Sequence, residues 1–119
     1  MISIVDDDES VRESTKALVR SLGYAACGFA SAEEFLDSNL YDTACLILDV
    51  QMKGLSGVEL QERLIAQGRR TPIIFVTAFP DQKIRDQALK AGAIGFLSKP
   101  CSDEKLTQCL DAALAGRVA

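Results

Sequence analysis

The sequence predicts an α/β fold in which a doubly wound, five-stranded parallel sheet carries five helices on its two faces. The 119 residues fit one compact domain, residues 1–119, with enough chain to bury a core. Short runs rich in Ile and Val alternate with segments of helical periodicity. Strands that alternate with helices pair in parallel through right-handed crossovers, and these connections place helices on both faces of the sheet.

Three apolar runs predict buried central strands, because they are short, rich in Ile and Val and bounded by polar residues. They are residues 2–5, 45–48 and 73–76. Two weaker runs predict edge strands. Residues 24–29 are diluted by small residues, and residues 95–98 end just before a lysine and a proline.

Two apolar stripes at helical spacing predict helices that pack on the core. The first stripe is Val11, Thr15, Leu18, Val19 and Leu22, and the second is Leu106, Cys109, Leu110, Ala113 and Leu114. Three weaker helices are expected over residues 32–36, 57–67 and 81–91. Ser31, with Glu34 three residues later, is typical of a helix start, and Gly92 is typical of a helix end.

The composition indicates an ordinary globular domain. Apolar residues make up 48% and charged residues 25% of the chain, which argues against disorder, a collagen-like chain or a membrane span. The net charge is −4 and the basic residues are scattered, so we expect no direct nucleic-acid contact and no membrane surface. The chain starts with a strand and no signal peptide is visible, so the expected location is the cytoplasm.

Cysteine and histidine usage excludes several kinds of site. Cys27, Cys45, Cys101 and Cys109 lie far apart, without the Cys-x-x-Cys spacing of zinc or thioredoxin-like sites, and we expect reduced thiols. Cys45 and Cys109 fall on apolar elements and are expected to be small buried hydrophobic residues. Histidine is absent, which excludes a catalytic triad or zinc site built on histidine. Any phosphohistidine must come from a partner.

Polar residues follow four of the predicted strands at the point where each strand ends. They are Asp6, Asp7, Asp8 and Glu9 after the first strand, Asp49 after the third, Thr77 after the fourth and Lys99 after the fifth. Ligands of doubly wound sheets bind outside the carboxyl ends of the strands. We therefore expect these side chains on one rim of the sheet.

The acidic residues of the rim divide into two groups. An acidic run before a helix normally caps the helix and interacts with its dipole, contributing about 1 kcal/mol, and this explains Asp8 and Glu9. Asp6 and Asp7 lie beside Asp49, where carboxylates repel one another unless a cation joins them. Mg²⁺ suits such a group, because it takes oxygen ligands and is held by one or two carboxylates together with phosphate oxygen.

The remaining rim residues favour phosphoryl chemistry when they are taken together. Asp49 alone could be a turn carboxylate, Thr77 an ordinary β-branched strand residue and Lys99 a solvated cation. An ammonium at the same rim would neutralise phosphoryl oxygens, and a hydroxyl would donate a hydrogen bond to them. The combination on separate strand ends predicts a phosphoryl site.

From Ile2 to about Ala115 the chain resembles the receiver domains of two-component response regulators. The resemblance rests on Ile4-Val5-Asp6-Asp7, on Leu46-Ile47-Leu48-Asp49 with Met52 and Gly57, on Val76-Thr77-Ala78, and on Gly92-Ala93 through Gly95-Phe96 to Lys99-Pro100. It implies the flavodoxin-like strand order 2-1-3-4-5. Phe35, Leu36 and Thr77-Ala78 resemble receivers of the nitrogen-fixation-regulator type, which precede a helix-turn-helix DNA-binding domain.

The resemblance implies a ligand set and a reaction for the rim. Asp49 is implied to be the phosphoacceptor, which takes a phosphoryl group from a phosphohistidine of a sensor histidine kinase. Asp7 and Asp49 are implied to be carboxylate ligands of Mg²⁺, Gln51 a backbone-carbonyl ligand, and Asp6 an assistant through water. Beyond self-phosphotransfer and slow autodephosphorylation, no enzyme activity is expected.

The resemblance also implies a switch and an output. Lys99 and Thr77 are implied to hold the phosphoryl oxygens, and Thr77 and Phe96 to move in response to phosphorylation. Simple packing of an edge-strand aromatic is the alternative for Phe96. A homodimer through residues 81–98 and control of transcription through an output domain are further expectations.

Three departures from the family pattern bear on the site. Lys53 stands where a proline is common, which predicts a more mobile loop with an extra cation. Cys101 follows Pro100 where an aromatic residue is usual. Phe79 and Gln51 occupy positions that influence hydrolysis in receivers.

Two other functions stay open. Asp6-x-Asp8-x-Ser10, with Thr77 and Lys99, also resembles the motifs of haloacid-dehalogenase-type phosphatases, although this leaves Asp49 without a role. A receiver whose site is present but unused would instead dock a partner without Mg²⁺ or phosphate.

Overall fold

The computed structural model describes residues 1–38, 43–99 and 102–115, over which strands and helices alternate. The strands are β1 (Ile2–Val5), β2 (Ala26–Phe29), β3 (Cys45–Asp49), β4 (Ile73–Thr77) and β5 (Gly95–Ser98). The helices are α1 (Glu9–Ser21), α2 (Ala32–Asp37), α3 (Gly57–Ala66), α4 (Gln82–Lys90) and α5 (Asp103–Ala115). Pro100 and Cys101, on which two predictions fall, lie outside the described residues.

The sheet confirms the predicted doubly wound topology. All neighbouring strands are parallel, and their order is β2-β1-β3-β4-β5. Every residue of β1, β3 and β4 is buried, whereas β2 is half-buried throughout and β5 has only one buried residue, so the predicted central and edge strands are confirmed. A strand covered on both faces reads as a continuous apolar run, which is why the three central strands were visible in the sequence.

Two apolar clusters form the core, one on each face of the sheet. On one face the inward side chains of β1, β3 and β4 pack against α2, α3 and α4. On the other face the alternate side chains of the same strands pack against α1 and α5. Among the described residues, none of the helices combines the length and the apolar content that crossing a bilayer requires.

The helix ends follow the capping chemistry of the sequence. Asp8 and Ser31 accept hydrogen bonds from backbone N–H groups in the first turns of α1 and α2, as predicted. The Glu34 carboxylate turns back to accept from the Ala30 N–H at 2.7 Å. The predicted end at Gly92 is confirmed, because this glycine has φ +106°, a conformation that side chains disfavour.

The predicted apolar stripe of α1 is wrong at its last member. Leu22 is exposed, because α1 ends at Ser21 and the left-handed Gly23 turns the chain away from the core. The burial expected for Cys45 is confirmed, but Cys109 is only half-buried. The Cys109 side chain packs over Gly95 of β5, where a Cβ would approach its Sγ to 2.8 Å.

Candidate phosphoryl site

The register of the central strands brings their carboxyl ends to one edge of the sheet. Val5 lies opposite Leu48, Asp49 opposite Val76, and Thr77 opposite Ser98. The residues that end or follow these strands therefore lie side by side, as the rim prediction requires.

Asp6 is the buried anchor of this edge, with a relative exposure of 4%. Its N–H donates to the Phe29 carbonyl at 3.1 Å, which continues the pairing of β1 with β2 by one residue. Its Oδ1 accepts from the Asp8 N–H at 2.9 Å, and its carbonyl accepts from the Arg12 Nη1 at 2.8 Å. These bonds fix the Asp6 backbone at the end of β1 and hold one oxygen of its carboxylate.

Asp49 ends β3 and is also buried, with a relative exposure of 7%. Its Oδ1 accepts from the Gln51 N–H at 3.3 Å. The chain then folds back, and the Gly57 N–H donates to the Val50 carbonyl at 2.9 Å. A Cβ on Gly57 would collide with the Asp49 carbonyl, so this close approach requires a glycine.

Lys99 joins the two buried carboxylates. Its Nζ donates to Asp6 Oδ2 at 2.8 Å and to Asp49 Oδ2 at 3.2 Å. Its backbone N–H donates to the Thr77 carbonyl at 2.8 Å, which extends the ladder between β4 and β5 and aims the side chain back across the edge. One ammonium thus forms ion pairs with two carboxylates that lie far apart in the sequence.

The electrostatics of the edge leave excess negative charge. Burial and the neighbouring Asp6 carboxylate raise the pKa of Asp49, and Lys99 only partly offsets them. Burial lowers the pKa of Lys99, but the hydrogen bond to Asp6 and the charges of Asp49 and Asp6 outweigh it and raise the pKa overall. Lys99 therefore stays cationic, and Asp6, Asp7 and Asp49 outnumber it.

The three carboxylates form a donor set that fits a hard divalent cation. One carboxylate oxygen from each of Asp6, Asp7 and Asp49 lies within 4.8 Å of the other two, and this group is called the acidic cluster below. Asp7 is exposed at the opening, while the other two are buried. Mg²⁺ takes carboxylate oxygens on one side and keeps water molecules as ligands on the side that is open to solvent.

Thr77 and Phe96 make their recorded contacts outside the acidic cluster. Thr77 is buried, and its Oγ1 accepts from the Phe79 N–H at 3.2 Å. The half-buried Phe96 ring packs against Phe75 of the neighbouring strand, with ring centroids 6.1 Å apart. Asp6, Asp7, Asp49 and Lys99 are thus brought together, whereas the Thr77 hydroxyl bonds to its own loop.

Three other observations complete the site. Arg12 supports Asp6 from α1 through the Asp6 carbonyl, and no pattern in the sequence indicated this role. Asp8, which the phosphatase alternative requires in the site, accepts from the Val11 N–H at 3.2 Å and caps α1. A cavity of about 580 Å³ between α1 and α5 opens beside Asp6, Asp49 and Lys99.

The fold and this edge define a class of signalling domain rather than a classical enzyme. Residues 2–111 match the family model of the response regulator receiver domain, and the chain belongs to that family. The family implies a phosphohistidine-bearing kinase as phosphodonor and the general use of Mg²⁺. The predicted recognition and strand order are therefore confirmed.

The relatives of the chain include transcriptional regulators. It is 41% identical over 115 residues to the transcriptional regulatory protein TdiR of Thauera aromatica, covering 96% of this chain and 51% of TdiR. It is 37% identical over 114 residues to the transcriptional regulatory protein FixJ of Bradyrhizobium diazoefficiens, covering 95% of this chain and 56% of FixJ. The chain spans about half the length of the curated relatives it matches.

A solved structure is similar to the chain in both fold and sequence. The crystal structure of FixJ-N superposes with a TM-score of 0.87 at 34% identity, covering 99% of this chain and 95% of that one. The similarity to nitrogen-fixation-type receivers that the sequence indicated is thus confirmed.

Proposed function

We propose that Asp49 is the phosphoacceptor of a Mg²⁺-dependent receiver domain that occupies residues 1–119. The observation that carries the proposal is the convergence of Asp6, Asp49 and Lys99, whose three strand ends meet through two ion pairs of 2.8 and 3.2 Å. A buried carboxylate with a raised pKa, beside a second carboxylate and a cation, is typical of a functional site.

The reaction follows from where these groups lie. An Asp49 carboxylate oxygen attacks the phosphorus of a phosphohistidine in line, a P–O bond forms, and the P–N bond breaks with its electron pair left on the departing imidazole. The product is an acyl phosphate. Lys99 neutralises charge on the phosphoryl oxygens, so the contribution of the protein is positioning and electrostatic stabilisation.

The residues of the cluster fit a resident Mg²⁺. Asp7 and Asp49 would supply carboxylate oxygens, Gln51 a backbone carbonyl, and Asp6 would assist through water. When bound, Mg²⁺ neutralises charge on both the acceptor carboxylate and the incoming phosphoryl group. Asp6 meanwhile holds Lys99 at the edge, since its hydrogen bond to the ammonium is the shorter of the two.

Phosphorylation then acts as a local charge change. The phosphoryl group adds about −1.5 to −2 charge at Asp49. The Thr77 hydroxyl leaves the Phe79 N–H and donates to a phosphoryl oxygen, and Phe96 turns further toward Phe75. This favours an arrangement that is already accessible to the unphosphorylated domain.

The partners follow from this switch. The phosphodonor is a sensor histidine kinase in the cytoplasm, and the responding face, residues 81–98, forms a homodimer. The relatives that are named transcriptional regulators support an output domain that contacts DNA and regulates transcription, while this chain makes no DNA contact itself.

The test is intact mass after incubation with acetyl phosphate and Mg²⁺. We expect a single phosphoryl adduct, which is lost in Asp49→Asn and in the presence of a chelator. Asp8→Asn is the matched control, because Asn caps a helix as well as Asp and the adduct should persist. A folded protein that forms no adduct would contradict the proposal and favour the docking module, whose partner affinity does not depend on phosphate.

A further inference from the structure

A carboxylate from α2 contacts the loop that follows the phosphoacceptor. The Leu55 N–H donates to Glu33 Oε1 at 3.3 Å, across 22 positions of sequence. Gly54, with φ +79°, lies under the other oxygen, and a Cβ at this position would collide with Glu33 Oε2. Both oxygens of Glu33 therefore lie against the β3–α3 loop, residues 50–56. We call this pair of interactions the Glu33 contact.

The rest of the loop is held by hydrogen bonds at its two ends and by Met52, which packs with Leu55 against the core. At its start the Gln51 N–H donates to Asp49, and at its end Ser56 and Glu59 form a reciprocal capping box for α3. Leu55, the residue just before the cap Ser56, is bonded from outside the loop by Glu33. The loop is thus fixed to the acceptor strand at its start, to α3 at its end, and to α2 through Leu55.

Lys53 in the loop and the cap of α2 bear on the role of the Glu33 contact. Lys53 lacks the ring that would fix φ at a proline, so the backbone at this position keeps a rotation that a proline would remove. Glu33 is not needed to cap its own helix, because the Ser31 hydroxyl accepts from the Glu34 N–H and the Glu34 carboxylate accepts from the Ala30 N–H.

We propose that Glu33 is a positioning residue, which holds the β3–α3 loop so that the Gln51 carbonyl and the Asp49 carboxylate are preorganised for Mg²⁺. This inference rests on the proposed function for the identity of the cation. It acts through the backbone of the loop, and Glu33 itself contacts neither metal nor phosphoryl group.

The contact is tested first in Mg²⁺-free protein by the hydrogen exchange rate of the Leu55 amide. Glu33→Ala should speed this exchange about fivefold, as expected for the loss of one hydrogen bond. Glu33→Gln should stay close to wild type, because its amide oxygen can still accept from Leu55. The exposed Glu62→Ala controls for the loss of a negative charge. Unchanged exchange in Glu33→Ala would overturn the proposal.

A pair of glycines provides a second, matched test. Gly54 and Gly68 have φ of +79° and +74°, but a Cβ at Gly68 meets nothing within 4 Å. Alanine at either position therefore carries a similar backbone strain, and only Gly54→Ala displaces the Glu33 carboxylate.

The measurement is Mg²⁺ affinity by calorimetry. Glu33→Ala and Gly54→Ala should each weaken binding about threefold to fivefold relative to Gly68→Ala. The double variant should be no weaker than Gly54→Ala alone, because both changes remove the same contact. Additive losses, or equal losses in the two glycine variants, would contradict the positioning role.

The two proposals fail in different ways. If wild-type protein forms no phosphoryl adduct, the proposed function is wrong, while the Leu55 exchange rate still decides whether Glu33 holds the loop. If the adduct forms and either the Leu55 exchange rate or the Mg²⁺ affinity is unchanged in Glu33→Ala, the positioning role alone is wrong.

Discussion

The two ends of the central strands bury polar groups in different ways. Toward the amino ends, the hydroxyls of Ser3 and Thr43 lie 2.9 Å apart in a buried, neutral hydrogen bond. At the carboxyl ends, Asp6 and Asp49 are equally buried but are charged and share a single ammonium. Two neutral hydroxyls bond to each other without a cation, whereas an excess of buried carboxylates is costly unless a cation joins them. The first arrangement contributes to stability, whereas the second reduces stability as long as the negative charge is in excess.

Lys99→Met is expected to have the largest effect on stability at the carboxyl ends of the strands. It leaves Asp6 and Asp49 buried without their cation, and the free energy of unfolding should fall by about 3 kcal/mol. Urea denaturation in Mg²⁺-free buffer measures the loss, and added Mg²⁺ should recover part of it. Lys105→Met, at an exposed lysine, should change stability by less than about 0.5 kcal/mol.

Removal of a buried carboxylate should instead raise the free energy of unfolding. Asp49→Asn relieves the repulsion by Asp6 and the burial of charge that raise the pKa of Asp49. Its urea midpoint in Mg²⁺-free buffer should therefore rise, and Mg²⁺ should no longer stabilise it. A midpoint that falls would mean that the excess negative charge of the site is not a source of instability.

The amino-end region can be tested through the Cys45 thiol. Burial raises the pKa of Cys45 from 9.0 to about 12. Between these pH values the unfolded chain loses the thiol proton and the folded chain keeps it, so stability should fall as pH rises, by about 1.4 kcal/mol per unit at most. The slope should be smaller in Cys45→Val. Equal slopes in the two proteins would show that this thiol is not protected by the fold.

Changes to the uncharged pair of Ser3 and Thr43 should affect stability less than Lys99→Met does, and the effect should not depend on salt concentration. Thr43→Val leaves the Ser3 hydroxyl without this partner. It should lower the free energy of unfolding, measured by urea denaturation, by about 1 kcal/mol. Adding Ser3→Ala to Thr43→Val should cost less than the sum of the single changes, because the two residues share one bond. Neither variant should alter the response to Mg²⁺, in contrast to Lys99→Met.

The smallest effect is expected for Asp8→Asn, which marks where the acidic cluster ends. Asp8 caps α1 through its contact with the Val11 N–H, and Asn is an equally good cap. Stability should change by less than about 0.5 kcal/mol, and the affinity for Mg²⁺ should be unchanged within error. A marked loss of Mg²⁺ affinity, measured by calorimetry, would extend the cluster to Asp8.

Much of the fold could be predicted because its signals are local. Buried parallel strands are continuous apolar runs, and polar residues follow them directly, so both strands and rim were visible. Boundaries were less certain: β2 begins at Ala26 rather than at residue 24, and α1 ends before Leu22. These limits depend on where neighbouring strands stop pairing and where a left-handed glycine turns the chain.

The sequence by itself determined the alternation of strands and helices, the caps and the identities of the rim residues, because each depends on neighbours within a few positions. Only the tertiary structure decided that Lys99 bridges Asp6 and Asp49, that the Thr77 hydroxyl meets the Phe79 N–H, and which α-helical residues support the site. Arg12 and Glu33 are ordinary exposed or half-buried charges when considered alone. Their contacts arise from the packing of helices on the sheet, which brings together groups that no local pattern relates.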